Sequence, residues 1–258
     1  MARNKRGASR TLATIEREPI QWSELFRQFS VMAALVISIG GIVLLFNEET
    51  LPILHVSVDG EFDHVNKQRF IDEVTPHVTG SFLSVDVASI RQAGEALPWV
   101  KQIQVNRVWP DSLLFIVEEH DAVAQWGQQG LISEDGQLFY PDKSTFPLGL
   151  PLLQGPDSRY ADVTERYQYM NTALAKQRLA IKKLVMDERH SWSMTLSNDI
   201  EVQLGRLESE ERFERFISAY QTSLKQYQGE IAIMDMRYTN GLSVQWKHDQ
   251  QPEFNGTV

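Results

Sequence analysis

The chain has 258 residues and is acidic, with 25 lysines and arginines against 34 aspartates and glutamates, and it contains no cysteine. The absent thiol excludes disulfide frameworks, thiol nucleophiles and thiolate metal sites together. A net charge of −9 argues against a nucleic-acid role, because phosphate binding needs a basic face.

Residues 1–28 are polar with a basic start and read as a mostly disordered cytoplasmic tail. Ile20, Trp22, Leu25 and Phe26 allow the next helix to continue inward, with Trp22 at a membrane interface. From Phe29 to Phe46 runs FSVMAALVISIGGIVLLF, with no charge inside it. As a helix this run is about 27 Å long, close to the ~30 Å hydrocarbon core of a bilayer. It exceeds a signal-peptide core, and NEETLP after it lacks the small-x-small pattern of a cleavage site, so it reads as a transmembrane helix. Arg3, Lys5, Arg6, Arg10, Arg17 and Arg27 precede it, which places the N-terminus in the cytoplasm and everything after Thr50 across the membrane. Setting aside those six cations and Glu16, Glu18 and Glu24 leaves 19 basic and 31 acidic residues after the run. About 200 residues then lie outside the membrane, enough for two small domains or one large one.

Residues 51–121 have a legible order. Leu54, Val56 and Val58 alternate with polar residues up to the Asp59-Gly60 turn, predicting a half-buried strand. A helix from near Asn66 carries Phe70, Ile71 and Val74 on one face and stops at Pro76. A second opens at Asp86, a good N-cap, with Val87, Ile90, Ala93 and Leu97 at helical spacing before Pro98. Val100 to Val108 alternates again, with Ile103 and Val105 on one face and Gln102, Gln104 and Asn106 on the other. After the Pro110-Asp111 turn, Leu113 to Val117 is a continuous apolar strand. Trp99, Trp109 and Trp126 are expected to pack in cores or at strand ends.

This order resembles a POTRA domain directly outside a membrane span. HVSVDGEF (55–62) and PWVKQIQVNRVWPDSLLFIVEEHDAVAQW (98–126) resemble the bacterial FtsQ/DivIB cell-division family. The resemblance implies an α+β protein with a single N-terminal transmembrane helix. A POTRA domain (β-α-α-β-β) follows, then a mixed β domain with flanking helices and a C-terminal β-hairpin. The expected limits are a tail at 1–28, the span at 29–46, the POTRA domain at 51–121, the β domain at 122–247 and a flexible end at 248–258.

Within 122–247, the Asp135-Gly136 turn signals a hairpin, and a loop with Pro141, Pro147, Pro151 and Pro156 follows. A helix from about Thr164 is expected to place Tyr167, Met170, Leu174 and Ile181 on one stripe, with Lys182 and Lys183 at its end. Strands follow at 183–187, 191–196 and 200–204. A helix over 209–227 buries Phe213, Phe216, Ile217, Tyr220 and Leu224, and Gly229 ends it. Ile231 to Tyr238 reads as a strand, Asn240-Gly241 as a tight hairpin, and Leu242, Val244 and Trp246 as the inner face of a return strand. That last strand is expected at a sheet edge, where unpaired backbone groups accept an added strand from a partner.

Nothing in the spacing of His55, His64, His77, His120, His190 and His248 suggests a metal site. Glu118-Glu119, Glu210-Glu211 and Asp162/Glu165 are poor general acid/base pairs, since adjacent carboxylates on a strand face opposite ways and those opening a helix suit its dipole. The expectation is a binding protein with no cofactor and no enzymatic activity.

The phrase DMRYTNGLSVQW (235–246) resembles the family's C-terminal signature. By that resemblance the chain is a divisome scaffold of the inner membrane at the septum, with a periplasmic C-terminal domain that captures FtsB and FtsL. Arg237, Tyr238, Thr239, Asn240, Gly241, Leu242, Ser243, Val244 and Trp246 would form the FtsB edge. A polar face of Gln102, Gln104 and Asn106 would recruit further division proteins, FtsK, FtsW, FtsI and FtsN being the family's expected neighbours. The alternatives are a POTRA chaperone of an export or outer-membrane assembly pathway, and a membrane-anchored cell-wall hydrolase.

Overall fold

The computed structural model describes residues 22–45, 51–239 and 241–247. The predicted tail residues 1–21, Phe46, Asn240 and the end 248–258 lie outside the described residues. The chain divides into two units, one containing 51–53 and 80–85 with the N-terminal helix, the other containing 54–79 and the chain from 86 onward.

In the first unit, α1 (Trp22–Leu45) is a continuous helix, seven residues longer at its start than the apolar run. Residues 22–28 are therefore helical, the inward continuation that Trp22, Leu25 and Phe26 allowed, and not part of a disordered tail. The helix is long and apolar enough to cross a membrane. Its large side chains, among them Phe29, Leu35 and Ile37, are more than half exposed, as lipid-facing residues are and core residues are not. In the same unit the Phe82 amide donates to the Leu51 carbonyl (2.9 Å).

The second unit opens with β1 (His55–Gly60), α2 (Lys67–Val74), α3 (Val87–Glu95), β2 (Val100–Val108) and β3 (Ser112–Glu119). Both expected caps form: Asn66 accepts from the amides of Gln68 and Arg69, and Asp86 from those of Ala88 and Ser89. After α2 the chain runs one further tight turn through Thr75–His77, past Pro76. The three strands lie in the order β1-β3-β2, with β1 parallel and β2 antiparallel to β3. β1 is more exposed than its alternation predicts, only Val58 being half-buried, because a sheet edge has a neighbour on one side only. Gly94 brings α3 onto the sheet: a Cβ there would stand 2.0 Å from Ile103 Cδ1 and 3.0 Å from Phe70 Cε2.

A nine-stranded mixed sheet follows, in the order β12-β11-β10-β9-β8-β7-β4-β5-β6. Its strands are β4 (Ala122–Trp126), β5 (Gly130–Ser133), β6 (Leu138–Phe139), β7 (Leu152–Gln154), β8 (Ile181–Met186), β9 (Trp192–Leu196), β10 (Glu201–Gly205), β11 (Ile231–Asp235) and β12 (Ser243–Trp246). Helices α4 (Tyr160–Ala175) and α5 (Ser209–Ala219) share its core, giving Val163, Met170 and Leu174 from one and Phe213 and Phe216 from the other.

Three expectations need correction here. β7 falls in the stretch read as a proline loop, yet it is the parallel strand joining β4 to β8; a three-residue strand is too short for periodicity to register. Ile181 and Lys182 belong to β8 with Lys183, and not to α4, because α4 ends at Ala175 and the chain turns away at Arg178, whose φ is +62°. The helix read over 209–227 is α-helical only to Ala219. It continues as a wider turn over Tyr220–Leu224 and a tighter one over Lys225–Tyr227, still burying Tyr220 and Leu224.

Trp99, Leu131 and Phe139 make a small second core where the first block meets the β domain. Trp99 donates through Nε1 to Thr145 Oγ1 (2.7 Å), and the His64 ring stacks on it with centroids 3.9 Å apart. Glu119 accepts from the amides of His64 and Val65. Lys101 Nζ lies 2.9 Å from Glu118 and 3.0 Å from Asp135, and those two carboxylates hold its pKa above the ordinary lysine value. Trp126 is buried as expected, whereas Trp109 is 80% exposed.

Candidate partner-binding edge

β12 is the last strand of the large sheet and pairs only with β11 among the described residues. Its alternation is the one the sequence predicts. Leu242, Val244 and Trp246 turn toward the core, with the Trp246 ring edge-on to Tyr227 at 6.1 Å, and Ser243 and Gln245 face solvent. A short edge strand of this kind presents backbone donors and acceptors on its outer side.

β11 stops at Asp235 rather than Tyr238, so β11 and β12 are joined by seven residues and not by a two-residue turn at Asn240-Gly241. Other contacts shape that connection. The Met236 amide donates to the Gln203 carbonyl (2.8 Å), extending the pairing to β10 by one bond. Arg215, on α5, then gathers the turn: its guanidinium donates to the carbonyls of Met236 (3.0 Å), Tyr238 (2.8 Å) and Thr239 (2.9 Å). Sequence reasoning passed over Arg215 because a basic residue on a polar helix stripe looks like a solvated face; three carbonyl partners 21 to 24 residues away leave no local signal.

Arg237 is held from the other side. Its Nε and terminal nitrogen clasp the two carboxylate oxygens of Asp235 at 2.9 and 2.6 Å. This pairing is the main reason the Asp235 carboxyl lies below the usual range. The Arg237 stem runs over Gly205, where φ is +77° and a Cβ would meet Arg237 Cγ at 3.0 Å and the Arg212 guanidinium at 2.8 Å. Gly205 thus supplies both a left-handed turn and room for two arginines.

The outcome is a fixed turn that offers its side chains outward. Tyr238 is 58% exposed, Arg237 and Thr239 are also exposed, and Gly241 is half-buried. A shallow depression of about 370 Å³ is lined by Tyr238, Thr239, Gly241, Leu242 and Ser243. Eight of the nine residues expected at the edge lie together in this turn and strand; Asn240 lies outside the described residues. Trp246 differs from Tyr238 in kind, since it packs inward. Gln102, Gln104 and Asn106 stand exposed on β2, the edge of the small sheet, apart from this cluster in sequence and in sheet.

Among the described residues no group of three or more His, Asp and Glu side chains is arranged to hold a metal. Several of the carboxylates considered for acid/base work have cation partners: Glu118 with Lys101, Asp162 with Arg159, Glu210 with Arg166.

Comparison with known proteins agrees with this architecture. Residues 51–120 match the family model described as POTRA domain, FtsQ-type, and residues 124–237 match the one described as cell division protein FtsQ/DivIB, C-terminal. A cell division protein FtsQ of Coxiella burnetii is 32% identical over 95% of this chain and 98% of its own length. The FtsQ of Allochromatium vinosum is 36% identical over 84% and 87%, and that of Neisseria meningitidis 31% over 89% and 97%. The chain belongs to the FtsQ family of cell-division proteins. The FtsQ/DivIB match ends at Arg237, so β12 and most of the turn lie just beyond the matched stretch.

Proposed function

We propose that this FtsQ-family chain is a bitopic scaffold of the division machinery that holds a partner by strand addition to β12. The observation that carries this reading is the combination of a strand at the end of the sheet, paired with β11 alone among the described strands, with a turn bound by Arg215 and exposing Tyr238. An extended partner segment would continue the sheet through backbone bonds, and Tyr238, Arg237 and the depression beside them would select it by side-chain contact. The resemblance supplies the occupant: FtsB, in complex with FtsL.

In this reading α1 anchors the chain in the inner membrane with the N-terminus in the cytoplasm. The POTRA domain (51–121) and the β domain (122–247) then stand in the periplasm at the septum. The exposed polar face of Gln102, Gln104 and Asn106 serves recruitment of other division proteins, such as FtsK, FtsW, FtsI and FtsN. The protein gathers and positions and carries out no covalent chemistry. The relatives, named as division proteins, favour this over the export-chaperone alternative.

The test is binding of the purified chain to the extracytoplasmic segment of FtsB. Tyr238→Ala is expected to lose about 2 kcal/mol or more of affinity, as a central aromatic anchor does. Undiminished binding by a folded Tyr238→Ala protein would remove the site from this edge.

A further inference from the structure

Within 54–79 and 86–121 the exposed large apolar side chains are not scattered. Among the described residues there they are Leu54, Val56, Val108 and Trp109, Trp109 at 80% and Leu54 at 64%. All four lie at one end of the three-stranded sheet. Ser112, which closes the β2–β3 hairpin opposite Val108, is also the register partner of His55 at the start of β1. The Leu54 amide donates to the carbonyl of Asp111 in the hairpin tip (2.9 Å). At the opposite end Gly60 pairs with Val117 and β2 begins beside Trp99, in the junction with the β domain. One end of the small sheet is thus covered by the β domain, and the other carries exposed apolar side chains.

That apolar end is also where the chain arrives from α1. Eight residues, 46–53, lie between Leu45, the last of the helix, and Leu54. However they are arranged they reach at most about 30 Å. The tether therefore keeps the hairpin tip close to any bilayer that α1 crosses. The chemistry of the tip suits the headgroup boundary: tryptophan is enriched there because its ring is apolar while its N–H still finds a polar partner. The carboxylate at the tip, Asp111, is engaged by the Ser112 hydroxyl (2.9 Å) and lies 3.7 Å from His55 Nδ1, which lessens its cost near lipid.

We propose that the Trp109 hairpin tip, with Val108 and Leu54, docks on the bilayer surface as a second membrane contact, setting the orientation of the POTRA domain on its tether. The inference rests on the reading of α1 as a span. The occupant is lipid, and a second copy of the chain is the rival outcome.

The natural absence of cysteine makes single-site labelling direct. The full chain is reconstituted at one copy per nanodisc, in phosphatidylethanolamine and phosphatidylglycerol. A nitroxide is carried in turn by Val108→Cys, by Leu35→Cys in α1 and by Leu148→Cys, a 99% exposed position in the β domain. The label at 108 is expected to lose most of its collisions with a water-soluble nickel chelate relative to 148 and to report a depth of ~5 Å or more at the headgroup boundary. Adding Trp109→Ser is expected to return it to the level of 148. Equal accessibility at 108 and 148, with the label at 35 deep in lipid, overturns the docking and leaves the span intact. An aqueous label at 35 overturns the span and the docking together. Shielding at 108 that appears only with several copies per disc assigns the tip to a second chain and also overturns the proposal.

Discussion

The guanidinium of Arg215 and the carbonyl of Tyr238 are 2.8 Å apart, and this bond, with its neighbours to Met236 and Thr239, ties the turn to α5. A charged donor to a carbonyl contributes about 1.5–3 kcal/mol net where water is excluded, and less at a half-exposed site such as this. Arg215→Met is expected to destabilise the fold by roughly 1–3 kcal/mol. Amide exchange through 236–242 should accelerate by more than the rest of the sheet, and partner affinity should fall although Arg215 offers no side chain to the outer face. Hydrogen exchange with mass spectrometry reads the first effect and titration calorimetry the second.

Tyr238 and Trp246 both belong to the aromatic signature but perform different work. Tyr238→Ala removes an exposed side chain and is expected to shift stability by about 0.5 kcal/mol or less. Trp246→Ala removes a ring packed on Tyr227 and on the core edge and is expected to cost about 2–4 kcal/mol. Urea melts of the two variants separate them. A loss of binding in Trp246→Ala therefore reports strand order as much as contact.

The Asp235–Arg237 pair gives the turn a defined acid response. Asp235 has its folded pKa lowered, chiefly by Arg237, so its contribution is present above the unfolded value of about 3.9 and is lost as pH falls through the lower folded value. Native protein should exceed Arg237→Gln in stability at neutral pH, and the difference should shrink below about pH 4. Arg237 is 58% exposed, so screening keeps the effect to about 1 kcal/mol or less. Thermal melts from pH 7 to pH 3 check it.

At the junction, Trp99→Phe keeps most of the apolar volume but leaves Thr145 without its indole donor and His64 without the larger ring. The expected cost is about 1–2 kcal/mol. The exchange changes should fall on 64–65, 119–121 and 143–146 rather than on β11 and β12, which mass-spectrometric exchange resolves by segment.

Most of the fold was legible because the chain states it locally. Asn66 and Asp86 announce α2 and α3, the alternation of 100–108 gives β2, and the apolar run gives α1. β7 was not legible, since a three-residue strand carries no period. The bent end of α5 was not either, because Phe213, Phe216, Tyr220 and Leu224 keep a helical stripe while the backbone widens beneath them. At the edge, the alternation of Leu242, Val244 and Trp246 and the NG signal predicted the return strand, whereas the choice of Arg237 to Trp246 as a partner site came from the family resemblance. The NG signal placed the turn too tightly, because the bonds that shape it come from Arg215 and Gln203, remote in sequence. Trp109 was expected in a core or at a strand end from its type alone, and it stands exposed just past the end of β2. No residue type encodes which end of a small sheet is left exposed.

Strand addition at β12 is the central claim, and amide exchange of Ser243 to Trp246, with and without the FtsB segment, tests it most directly. The account predicts that the outward-facing amides of β12 become protected on binding while those already bonded to β11 change little, and that Tyr238→Ala lowers the occupancy of that protected state. Binding that leaves β12 exchange unchanged and protects another surface would contradict it.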